Sequence, residues 1–124
     1  MLKKWKITYT FLLLLLAFSV SSLAGDSKVS VSNFKILSFG TVWGEAGTLK
    51  LIGEVKNIGS IAAGVQLEAV ARDANGKLVL TAIFWPNSTN NIPPEETAVF
   101  KIPLSEGERI KNVQIEIIRA QVWQ

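Results

Sequence analysis

From residue 29 onward, apolar and polar side chains alternate with a period of two, and no stretch has the spacing of an amphipathic helix. In "TLKLIGEVKN" (48–57), Leu49, Leu51, Gly53 and Val55 fall on one face, and Lys50, Glu54 and Lys56 on the other. "GVQLEAVARD" (64–73) repeats this with Val65, Leu67, Ala69 and Ala71 inside and Gln66, Glu68 and Arg72 outside. "VSVSNFKILSF" (29–39) reads as a first strand, and "TAVFKIPL" (97–104) buries Ala98, Phe100, Ile102 and Leu104. "NVQIEIIRAQVW" (112–123) buries Val113, Ile115 and Ile117, then blurs at Ile118 as a bulge would make it. "KLVLTAIFW" (77–85) is apolar on both faces, which suggests a central or covered strand.

The connections carry turn chemistry. "DANG" (73–76) predicts a tight hairpin in which Asn75-Gly76 supplies the positive φ. "NIGS" (57–60) and "SEGER" (105–109) are further turns, and "PNSTNNIPPEE" (86–96) reads as a longer polar loop. Short strands with turn signals about every ten residues predict an all-β fold, an antiparallel two-sheet immunoglobulin-like sandwich of 6–7 strands over residues 31–124. A small closed barrel is the competing architecture.

The alternation is absent from the first residues, which have a different order. Lys3, Lys4 and Lys6 precede an apolar block, "FLLLLLAFSV" (11–20), and then the small residues Ser21, Ser22, Ala24 and Gly25. Positive, apolar, small is the order of a secretory signal peptide, here residues 1–24 with cleavage after Ala24 and a short lead-in at 25–30. The apolar block rises only about 15 Å as a helix, half of a bilayer core. No charge occurs from Ile7 to Gly25, however, so an uncleaved membrane anchor is the alternative. Leu23-Ala24-Gly25 is the triplet that precedes the lipid-bearing cysteine of a bacterial lipoprotein, but Asp26 has no thiol to acylate. The expected location is extracytoplasmic (secreted, periplasmic or cell-surface), with membrane contact only through the N-terminal segment if it is retained.

Removing the leader changes the charge balance. Three of the 13 basic residues lie in it, so ten basic residues face ten acidic ones in the rest. A neutral domain lacks the basic face that nucleic acid requires. The chain has no cysteine and no histidine, which removes disulfides, thiol nucleophiles, the usual general base and the commonest zinc ligand. Carboxylates alone remain, mostly at polar alternation positions or turns. No enzyme activity, cofactor or metal site is expected.

Four motifs have a sharp and a bland reading. Asp73 and Asn75 echo a calcium loop, but the distal ligands are missing and the hairpin explains them. Asn87-Ser88-Thr89 is a glycosylation sequon in a polar loop, and Pro93-Pro94 is loop punctuation before a strand. Trp43, Trp85 and Trp123 each stand beside a turn or chain end. In strand register Trp85 shares a face with Val79, Thr81 and Ile83, opposite Leu78, Leu80, Ala82 and Phe84. Exposed indoles suit a sugar or a protein partner; the bland reading is that they plug the ends of the sandwich. The interaction candidates are therefore Trp43, Ile83, Trp85 and Trp123, with a protein partner or self-association through a sheet edge or through the Val79–Ile83–Trp85 face. A small carbohydrate-binding module is the alternative function.

"LIGEVKNIGS…VQLEAVARDANGKLV…IPPEETAVFKIPL" resembles the FxLYD family, and more loosely other bacterial Ig-like domains of unassigned function. The shared sketch is Gly53-x-Val55-x-Asn57, then Asp73-x-x-Gly76-Lys77, then Pro94 and Glu95 or Glu96 before Ala98-x-Phe100. It covers about residues 45 to 122. The name-giving motif would fall on Ala69, Ala71, Arg72 and Asp73, of which only the aspartate is kept, and the usual P-G-E is Pro93-Pro94-Glu95. The resemblance implies a fold and an envelope location and brings no catalytic residues. Its motif residues are structural: Gly53 would allow close packing, while Asn57 and Asp73 would bond turn amides.

Overall fold

The computed structural model describes residues 29–124; the signal peptide expected at 1–24 and most of the expected lead-in at 25–30 lie outside the described residues. Six strands follow: β1 (Phe34–Trp43), β2 (Leu49–Asn57), β3 (Gly64–Arg72), β4 (Leu78–Phe84), β5 (Thr97–Leu104) and β6 (Asn112–Gln121). Short 3-10 turns at Val31–Asn33, Glu45–Gly47 and Gly107–Arg109 complete the regular structure. The strands make two antiparallel three-stranded sheets, ordered β1-β2-β5 and β4-β3-β6. The fold is an all-β sandwich, with no ladder closing the sheets into a barrel among the described residues.

The two central strands are the ones with strict alternation. Leu49, Leu51 and Val55 of β2 and Val65, Leu67, Ala69 and Ala71 of β3 are all buried. Burying each leucine or valine among them contributes roughly 1.5–3 kcal/mol. Phe100 of β5 crosses the core to Phe84 of β4, with ring centroids 5.3 Å apart. Gly53 makes this crossing possible, because the ring lies where a Cβ would stand. Its role is thus to admit a side chain from the neighbouring strand rather than to bring the two sheets together.

Three edge strands contain an extra residue: Leu37 in β1, Val79 in β4 and Ile118 in β6. The one at Ile118 was legible as a blur in alternation. The one at Val79 was not, and β4, expected to be central or covered, is an edge strand paired only with β3. Its second apolar row arises because the bulge turns Val79 toward the core.

The first strand starts later than its alternation suggests. Ser30 N donates to Asn33 Oδ1 at 2.8 Å, Asn33 N returns to Ser30 O at 3.0 Å, and Ile58 N donates to Asn33 O at 2.8 Å. These bonds hold 30–33 in a turn, while Val29 packs against the core. In the 73–76 hairpin only Gly76 has positive φ; Asp73 Oδ1 accepts from Asn75 N and Lys77 N at 2.8 and 3.0 Å. That is a turn closed by a left-handed glycine.

The 86–96 segment is not simply a polar loop. Ile92 is 2% exposed, and its backbone pairs with Ala63 as an isolated bridge. Asn57, fully buried, fastens this loop: Nδ2 donates to Ile61 O at 2.9 Å and Ile92 O at 2.7 Å, and Oδ1 accepts from Gly59 N at 2.8 Å. Ile92→Ala is expected to cost about 3 kcal/mol, as other large-to-small core changes do; urea unfolding at matched m-value measures it.

Candidate functional site

The four candidate residues fall in three separate places. Trp43 ends β1 beside Leu49, at the end of the sandwich where Gly107 turns the chain. A Cβ on Gly107 would stand 3.1 Å from the Trp43 ring and 2.5 Å from Leu49, so the glycine seats the indole, which is still 55% exposed. Trp85 and Trp123 lie at the opposite end, edge to face, with centroids 4.9 Å apart and planes at 68°. Ile83 stands alone on the outer face of the second sheet, 56% exposed and directly across from Glu68.

The Val79–Ile83–Trp85 row is therefore not one surface. Val79 is bulged toward the core, and Trp85, one residue past β4, is only half-exposed against Trp123. A single strand register, assumed in reading alternation, cannot show either departure.

Trp123 is clasped by a side chain acting as a strand. Its N donates to Asn91 Oδ1 at 2.8 Å, and Asn91 Nδ2 donates to its carbonyl at 3.0 Å. The indole covers Gly64, whose Cβ position would be 2.7 Å from Cδ1, and Nε1 is buried without a hydrogen-bond partner. Trp123→Phe is expected to change stability by less than about 1 kcal/mol, since it removes a donor that bonds nothing, whereas Trp123→Ala is expected to cost about 3 kcal/mol. Thermal unfolding of the two variants gives the comparison.

Exposed apolar side chains concentrate instead on β1. Leu37 (45%), Phe39 (44%) and Val42 (45%) join Trp43 along one edge strand. These residues were missed because the bulge at Leu37 breaks the alternation just where the apolar run begins. Beside them, the outer face of the first sheet has an open depression of about 440 Å³ lined by Ser38, Gly40, Ile52, Glu54 and Val99. Its floor is shallow and its only polar cross-link is Ser38 Oγ to Glu54 Oε1 at 3.3 Å.

No family model matches this chain, and neither does any curated protein or solved structure. Its chemistry is thus read from geometry alone. Among the described residues no three acidic side chains gather in a metal-sized cluster, and no helix is long and apolar enough to cross a membrane. The ion pairs among the described residues, Lys56 of β2 with Glu95 at 3.5 Å and Arg109 with Glu106 in the turn before β6, are at the surface and contribute little. Among the described residues, β1 carries more exposed large apolar side chains than any other strand.

Proposed function

We propose that this chain is an exported, non-enzymatic domain of the cell envelope that works as a protein-interaction or structural module. The observation that carries this is the set of exposed apolar residues on the later part of β1, in a strand that gives only Phe34 and Ile36 to the core. Isolated exposed aliphatics are ordinary, but a contiguous set on an open edge is the usual mark of a contact surface. The order β1-β2-β5 and β4-β3-β6, in which the chain changes sheets between β2 and β3, between β4 and β5 and between β5 and β6, supports an immunoglobulin-like arrangement. A divergent FxLYD-like domain fits the roles of Asn57 and Asp73 in bonding turn amides. The leader order, Lys3-Lys4-x-Lys6 before ten apolar residues, supports export.

The carbohydrate alternative would rest on Trp43 alone, because a stacking platform needs an open ring. Trp85 and Trp123 are packed on each other, and Trp43 stands apart from both. The test is site-specific photocrosslinking in intact cells, with the photoreactive residue at Phe39 or, as control, at Thr81 on the far sheet. Adducts at Phe39 only are expected, on a chain whose mass lacks residues 1–24. Unmodified chain at both positions, or cytosolic chain of full mass, would sink the reading.

A further inference from the structure

Two of the four edge strands, β5 and β6, carry features that discourage pairing. β5 has Lys101 and Pro103, and β6 has Glu116, Arg119 and the bulge at Ile118. β4 is uncharged, but Leu80, Ala82 and Phe84 pack inward, leaving Leu78 and Ile83 exposed at its two ends with Thr81 between. β1 differs. Beyond Leu37, residues 38–43 (SFGTVW) contain no charge and no proline, and Phe39, Val42 and Trp43 are all exposed.

We propose that β1 pairs with β1 of a second copy, antiparallel about a two-fold axis through Thr41, which deepens the interaction reading above and rests on it. Residues directly opposed in an antiparallel pair share a face. Centring on Thr41 sets Phe39 of each copy against Trp43 of the other, and Thr41 against Thr41. It also sets Val42 over Gly40, where a side chain meets nothing within 4 Å. A strand that complements itself in this way fits the isologous contact of a two-fold dimer.

Charge favours the same direction. Lys35 lies near the start of β1 and Glu45 just past its end, so antiparallel pairing brings unlike ends together and parallel pairing like ends. Cleavage after Ala24 would leave four residues before Val29, a reach of about 13 Å, too short to line the ten residues of β1. The exposed parts of Leu37, Phe39, Val42 and Trp43 amount to about 350 Å² per copy, about 700 Å² in all and below the size of stable interfaces, so the dimer is weak and forms with concentration.

The chain contains no cysteine, which makes the test direct. In the proposed register Thr41 Cα atoms lie about 4.5–5.5 Å apart, within disulfide span. Full-length Thr41→Cys is expected to give about tenfold more disulfide dimer under mild oxidation than Val99→Cys, an exposed position on the far edge of the same sheet. Thr41→Lys, which places two like charges on the axis at an exposed site, is expected to abolish concentration-dependent dimer in sedimentation while its circular dichroism stays unchanged. Equal crosslinking of Thr41→Cys and Val99→Cys would overturn the second copy as partner. If Phe39 photoadducts to another protein persisted then, the interaction reading would stand without it; if they vanished too, both would fall.

Discussion

Replacing Asn57 with leucine is expected to destabilise the domain by about 4 kcal/mol and to lower Tm by about 20 °C. Leucine has nearly the same volume, so packing changes little. What is lost is three bonds at once: the buried one to the Ile92 carbonyl and the part-buried ones to the Ile61 carbonyl and the Gly59 amide. Each unsatisfied buried group costs about 1–3 kcal/mol. The consequence should be local before it is global, because Ile92 is held in the core by the loop that Asn57 fastens. Hydrogen exchange at Gly59 and Ile92 should rise first.

Asn57→Asp is expected to behave differently with pH. A carboxylate there would face two carbonyl oxygens, so burial and repulsion would raise its folded pKa above the unfolded value. The proton is then held more tightly in the folded state, and stability falls as pH rises through and above the unfolded carboxylate range. Denaturation at pH 4 and pH 7 should find this variant more stable in acid than wild type's own trend predicts. Equal loss at both would mean that the side chain escapes to solvent.

Gly53→Ala is expected to cost about 3 kcal/mol, unusually much for adding one methyl to a strand. Glycine normally weakens a strand interior, so alanine elsewhere would stabilise. Here the new Cβ would stand 2.6 Å from the Ser38 carbonyl oxygen and closer still to Phe100 Cζ. The ring can swing, but the carbonyl belongs to the β1–β2 ladder and cannot. Combining Gly53→Ala with Phe100→Ala should therefore cost at least about 1 kcal/mol less than the sum of the single changes, without restoring wild-type stability. Strict additivity in urea unfolding would show that ring and glycine do not meet.

The central strands were readable because both sides of the ladder enforce one register. Leu49 to Val55 and Val65 to Ala71 keep period two without interruption, and their inner residues are buried as the pattern requires. Edge strands answer to one neighbour only, and they accommodate the extra residues Leu37, Val79 and Ile118. Around such a residue the faces exchange, so Val79 was placed with Ile83, and the first strand, read only as far as Phe39, did not join Phe39 to Trp43. Ile92 was hidden by its company: a single apolar residue among asparagines and prolines has no period, and only Asn57, 35 positions earlier, reveals that it is anchored. The candidate tryptophans were individually visible, but whether two rings touch depends on loop closure, which alternation does not encode.

The far edge of the first sheet has a further consequence. Pro103 on β5 offers no amide hydrogen, and Lys101 adds a charge that any new seam would have to accommodate. A sheet joined at β1 would therefore run from one β5 to the other and stop, with nothing left to template a seventh strand. Even crowded together, molecules of this chain should yield discrete soluble particles instead of growing fibrils.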